Sequence, residues 1–126
     1  MSLRTPIGRV RGLGSAKDGT EHFWMQRVSA IALVPLILWF TVSLVTMTGA
    51  GYVDVVTWLS SPLVAILMLL MITAGFYHLK LGLQVVIEDY VHSEGLKLAA
   101  LLLNTFFCLA VGVAAAFAVL KIAFGG

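Results

Sequence analysis

Three apolar runs, each long enough to cross a lipid bilayer, decide what this chain can fold into. They lie at about residues 28–47, 62–87 and 98–124. A bilayer's hydrocarbon core is about 30 Å thick and takes about 20 helical residues to cross. Lipid offers the backbone no hydrogen-bond partners, so such spans are helices, which satisfy their own. The composition agrees: 60% of the 126 residues are hydrophobic and 11% charged, too few charges to cover a water-soluble domain. The expected fold is all-α and integral to the membrane. It has three transmembrane helices in a single membrane-anchor domain (1–126), with a basic cytoplasmic N-terminal arm (1–24).

Charge position sets the expected topology. Arg4, Arg9, Arg11, Lys17 and Arg27 all precede or open the first run, the loop at 49–61 has no Lys or Arg, and the polar loop near 88–97 is flanked by Lys80 and Lys97. Positive charge beside spans marks the cytoplasmic side. This puts the N-terminus and second loop in the cytoplasm and the C-terminus on the opposite side. Such a basic arm is commoner as a topology signal than as a nucleic-acid contact, so lipid and not nucleic acid is the expected partner. Pro6, Gly8, Gly12, Gly14 and Gly19 favour an irregular arm. The first run is too long for a signal-peptide core and has no small-residue cleavage pattern, so it reads as a retained span. The lone Cys108 excludes an internal disulfide and reads as a small core or lipid-facing residue.

Polar side chains inside a span are costly and mark functional positions. The second run contains His78, Lys80 and Gln84 and leads into Asp89 and Tyr90. On a helix Gly75, His78, Gly82 and Asp89 share one side, and His78 and Asp89 are roughly 16 Å apart along the axis. The two glycines remove bulk where a flat ligand or another helix approaches. A membrane imidazole can ligate a metal, relay protons or hydrogen-bond a neighbouring helix; the glycines favour axial haem ligation. Asp89 and Tyr90 read either as a solvated acid with an interfacial anchor or as a quinone site. In the second reading the phenol donates to a quinone carbonyl and the carboxylate relays protons. Arg27, after His22, is either a snorkelling anchor or a partner for haem propionates. Gln84 reads as interhelical glue. Lys80 reads as snorkelling or paired with an acid.

The segment His78-Leu-Lys-Leu-Gly82-Leu-Gln-Val-Val-Ile-Glu-Asp89-Tyr90-Val91 resembles the second-helix motif of the smaller hydrophobic anchor of succinate dehydrogenase (complex II). The motif is a histidine, a glycine four later, and Asp-Tyr eleven and twelve after the histidine. The run Gly14-Ser-Ala-Lys-Asp-Gly-Thr-Glu-His-Phe-Trp-Met-Gln-Arg27-Val-Ser-Ala-Ile is similar to the alphaproteobacterial form of that subunit. With the three-span layout, the resemblance covers essentially the whole chain. It implies an anchor that works in the tricarboxylic acid cycle and the respiratory chain, not catalytic alone. The anchor docks a flavoprotein and an iron–sulfur subunit, shares one b-type haem with a second hydrophobic anchor, and contributes to the ubiquinone site. His78 would be the axial ligand to the haem iron, Tyr90 would bond ubiquinone with Asp89 beside it, and Arg27 would lie near the propionates. His22 departs by one residue from the spacing of a family histidine near the propionates. Lys80 adds a charge near the haem position that the resemblance leaves unexplained.

Three other classes compete. A fumarate reductase anchor shares the architecture and runs the chemistry in reverse; the Asp89-Tyr90 pair favours ubiquinone reduction. A small transporter needs an ionisable group in its first span, and this one has none after Arg27. A purely structural membrane protein needs no histidine within a span.

Overall fold

The computed structural model describes residues 5–12 and 18–125 of the chain. Five helices follow one another: α1 (Pro6–Val10), α2 (Asp18–Thr46), α3 (Tyr52–Ser60), α4 (Pro62–Tyr90) and α5 (Glu94–Ala123). No strand occurs among the described residues. Of these helices, α2, α4 and α5 are long and apolar enough to cross a membrane.

Local chemistry sets the breaks. α1 is a short turn in which Thr5 Oγ1 accepts from the Gly8 N–H at 3.0 Å and Pro6 stands at the first helical position, where its missing N–H costs nothing. The α2–α3 turn passes through Gly49, whose φ of +85° favours glycine. It closes where the Gly51 N–H donates to Asp54 Oδ2 at 3.0 Å. Between α3 and α4 a single residue, Ser61, leaves the helical region (φ −65°, ψ 128°). Ser61 precedes Pro62, whose ring disfavours helical backbone in the residue before it.

Part of the expected irregular arm is helical instead. α2 starts at Asp18, about ten residues before the apolar run. Once the span is helical, each further residue adds one hydrogen bond for one residue ordered, and no Gly or Pro interrupts Thr20–Arg27. Arg4 and Lys17 of the basic arm lie outside the described residues. The 29 or 30 residues of each long helix span about 43–45 Å, more than the hydrocarbon core, so each either tilts or emerges into the polar layer.

Within these helices the hydroxyls turn back on their own backbone. Ser43 donates to Trp39 O, Thr73 to Leu69 O (both 2.8 Å) and Thr105 to Leu101 O (3.0 Å). No hydroxyl of this set is left facing lipid unsatisfied.

The three spans form an open row. α4 packs against α2 on one side and α5 on the other, α3 rests on α4 and α5, and the Cα atoms of α2 and α5 stay more than 8 Å apart among the described residues. Trp58 of α3 stacks on Trp39 of α2 with ring centroids 5.9 Å apart. Buried positions are few: Leu33, Ala65, Leu81, Cys108 and Val119, with Ser29 and Asn104 as the polar members.

Candidate functional site at the α2–α4 seam

The seam is an antiparallel pairing whose register can be read from three contacts. A Cβ added at Gly75 would lie 3.8 Å from Leu33, and one at Gly82 would lie 3.8 Å from Gln26 Nε2. Between them, Ser29 Oγ lies 3.0 Å from His78 Nδ1. The paired numbers sum to 107 or 108, so the level of Tyr90 on α4 corresponds to the start of α2. A Cβ at either glycine would make only ordinary van der Waals contact, so this face of α4 lies against α2. Of the two expected uses of that glycine face, the structure takes the helix.

His78 is half-buried in a continuous helix. Its Nδ1 is engaged by Ser29, which is 6% exposed. Ring geometry directs Nε2 away from Ser29, and Nε2 has no hydrogen-bond partner among the described residues. Ser29 is a residue that sequence reasoning missed. A serine in a span seldom stands out, and only its spacing from Gln26 and Leu33, three back and four on, signals a shared face.

Farther along the same face of α2, His22 Nε2 and Gln26 Oε1 are buried without a partner. By register His22 lies about 11 Å along the axis from the level of His78, and the structure does not bring the two rings together. Arg27 is exposed, with its guanidinium 4.9 Å from the centre of the Phe23 ring. It is two residues from Ser29 and so points to a different side of α2.

At the end of α4, Asp89 and Tyr90 are exposed, Tyr90 at 78%. Neither side chain has a hydrogen-bond partner among the described residues. Gln84 is not glue between helices: its Nε2 donates to Glu88 Oε1 within α4 at 3.2 Å. The glue on this side is Asn104 of α5, whose Nδ2 donates to the Lys80 carbonyl at 3.0 Å while its Oδ1 accepts from Cys108 Sγ at 3.4 Å. The Lys80 side chain lines an apolar groove of about 430 Å³ between α4 and α5, with Phe76, Tyr77, Cys108 and Gly112.

The described residues contain no group of three His, Cys, Asp or Glu side chains able to hold a bare metal ion. An iron held through His78 would arrive inside a prosthetic group, where the protein supplies only axial donors. The residues present fit that demand, since Nδ1 is tied down and Nε2 is uncommitted.

Comparison with known proteins identifies the family. The model of the succinate dehydrogenase/fumarate reductase transmembrane subunit family matches residues 1–112. The chain is 31% identical to the succinate dehydrogenase hydrophobic membrane anchor subunit of Paracoccus denitrificans over 125 residues, covering 99% of this chain and 96% of that one. It is 35% identical to the subunit of the same name from Rickettsia bellii over 96 residues, covering 75% and 76%. It is also 29% identical to the succinate dehydrogenase membrane anchor subunit of Reclinomonas americana over 90 residues, covering 69% and 75%.

Proposed function

Because the chain belongs to the succinate dehydrogenase/fumarate reductase transmembrane subunit family, we propose that it ligates a b-type haem through His78 and contributes Tyr90 and Asp89 to a ubiquinone site. It is a multi-pass membrane-anchor subunit of succinate dehydrogenase, an oxidoreductase complex, and associates with that complex's catalytic subunits. On the proposed reading those are a flavoprotein and an iron–sulfur protein. A second hydrophobic anchor would face this one and share in holding the haem. The assembly sits in a bacterial inner membrane with the N-terminus of this chain in the cytoplasm.

The observation that carries the reading is the state of His78, an imidazole within a span, with one nitrogen anchored across a helix seam and the other free to donate. When bound there, the haem supplies a one-electron redox centre inside the membrane. This chain's part is to hold and orient: Nε2 donates to the iron and Ser29 anchors the ring. Arg27, an exposed cation about half a turn along α2 from the level of His78, pairs with the propionates. His22 is left out, since its Nε2 is enclosed on the face of α2 that meets α4. At the end of α4 the free phenol of Tyr90 donates to a ubiquinone carbonyl, and Asp89 carries protons in from the water layer. The catalytic subunits oxidise succinate, and ubiquinone is the acceptor.

The test uses the purified four-subunit complex. Wild type should show a reduced b-type absorption spectrum and His78→Ala should lose it. Tyr90→Phe should cut ubiquinone reduction about 10²-fold or more, the scale of a lost donor to an oxygen that gains charge, while succinate oxidation by an artificial dye persists. An unaltered spectrum in His78→Ala would overturn the haem assignment, and unchanged ubiquinone reduction in Tyr90→Phe the quinone assignment.

A further inference from the structure

We infer that Ser29 is a positioning residue that sets the tautomer of His78 and tunes its strength as a ligand, an inference that rests on the haem reading above. The Ser29 hydroxyl has one hydrogen and two neighbours at 3.0 Å, the Gln26 carbonyl oxygen and His78 Nδ1. A carbonyl oxygen can only accept, so the hydroxyl hydrogen goes to Gln26, as serines in membrane helices commonly bond back along their own helix. The Ser29 oxygen is then an acceptor towards His78, and the imidazole must donate: Nδ1 holds the proton. In a neutral imidazole the other nitrogen then has the lone pair. Nε2, directed away from Ser29, is thereby committed as the electron-pair donor.

The reverse arrangement fails on the same count. If Ser29 donated to His78, its oxygen would lie 3.0 Å from the Gln26 carbonyl oxygen with no hydrogen between them. The proton on the ring would move to Nε2 and block ligation. Ser29 is 6% exposed, so water does not compete for the contact. Nδ1 has no other partner among the described residues. A hydrogen bond to the distal nitrogen of a ligating histidine fixes its tautomer and raises its basicity, and losing one costs about 10–100-fold in metal affinity.

The experiment compares Ser29→Ala, Ser29→Thr and His78→Ala in the intact complex, by haem content after extended dilution and by redox titration of the haem absorption. Ser29→Ala should assemble, release haem about 10–100-fold more readily and titrate at a higher potential, because a weaker donor stabilises the oxidised iron less. Ser29→Thr, which keeps the hydroxyl, should restore both towards wild type. A helix-packing role alone would leave the potential unmoved. Should Ser29→Ala fail to assemble, Ser29→Cys, of similar size but a poor acceptor, is read in the same way. Wild-type potential and retention in Ser29→Ala or Ser29→Cys, with haem lost in His78→Ala, would overturn the Ser29 inference and leave the haem reading standing. Haem retained in His78→Ala would overturn both.

Discussion

Asn104 shows how much one polar side chain does in a membrane protein with so few buried residues. Its amide joins α5 to the Lys80 carbonyl and receives the Cys108 thiol, satisfying both ends of a group that lipid would leave stranded. Interhelical hydrogen bonds in membranes are worth about 0.6 kcal/mol on average and up to about 1.7. Asn104→Ala loses the bond and leaves a small void, so it should lower the unfolding free energy by about 1–2 kcal/mol, measurable by denaturant titration in detergent. A change below a few tenths of a kcal/mol would mean the α4–α5 contact stands on packing alone. The residue-level chemistry was unevenly legible from sequence. His78, Asp89 and Tyr90 declare themselves because ionisable or polar groups in or beside a span are expensive. Ser29 and Asn104 do not, because a small polar residue that bonds its own helix costs little and leaves no mark until its neighbour across the seam is known.

At the scale of the helices, close approach depends on small residues at two seams that differ in tolerance. On the α4–α5 side, a Cβ at Gly112 would come 3.4 Å from Phe76 Cβ and Cγ, at the near edge of ordinary contact. Gly112→Val adds more than that space holds and should destabilise the chain by about 1–3 kcal/mol, as overpacking does. Gly95, in the first turn of α5, would meet nothing within 4 Å. Gly95→Ala should be neutral or up to about 1 kcal/mol stabilising. Equal thermal stability of the two variants would contradict the seam geometry. Apolar length made α2, α4 and α5 legible in advance, because the bilayer itself imposes that length. The polar first turns of α2 and the separate helix α3 were not: the first is propagated from the span behind it, and the second, capped by Asp54, is only nine residues long and too short to span.

For the molecule as a whole, the open row leaves α4 uncovered between α2 and α5 except where α3 rests on its first turns. Topology belongs to this scale. With Cys108→Ser as background, a single cysteine at Tyr52 should react with a membrane-impermeant maleimide added outside spheroplasts. A cysteine at His92 should react only after the membrane is opened. The opposite pattern would invert the orientation drawn from the basic residues. What sequence could not convey at this scale is the order of packing: three apolar rods can close into a triangle or lie side by side, and hydropathy is blind to the choice.

The side-by-side choice has a consequence for biogenesis. Three rods in a line make a wall, and a wall cannot enclose a guest from more than one direction. On the proposed haem reading, a planar cofactor resting against His78 would be trapped only when a second wall arrives, so loading would have a built-in order. The cofactor would then enter before or together with the proposed sister chain, and a finished chamber would take it in only by coming partly apart. A solitary copy of this chain is a docking half without a lock.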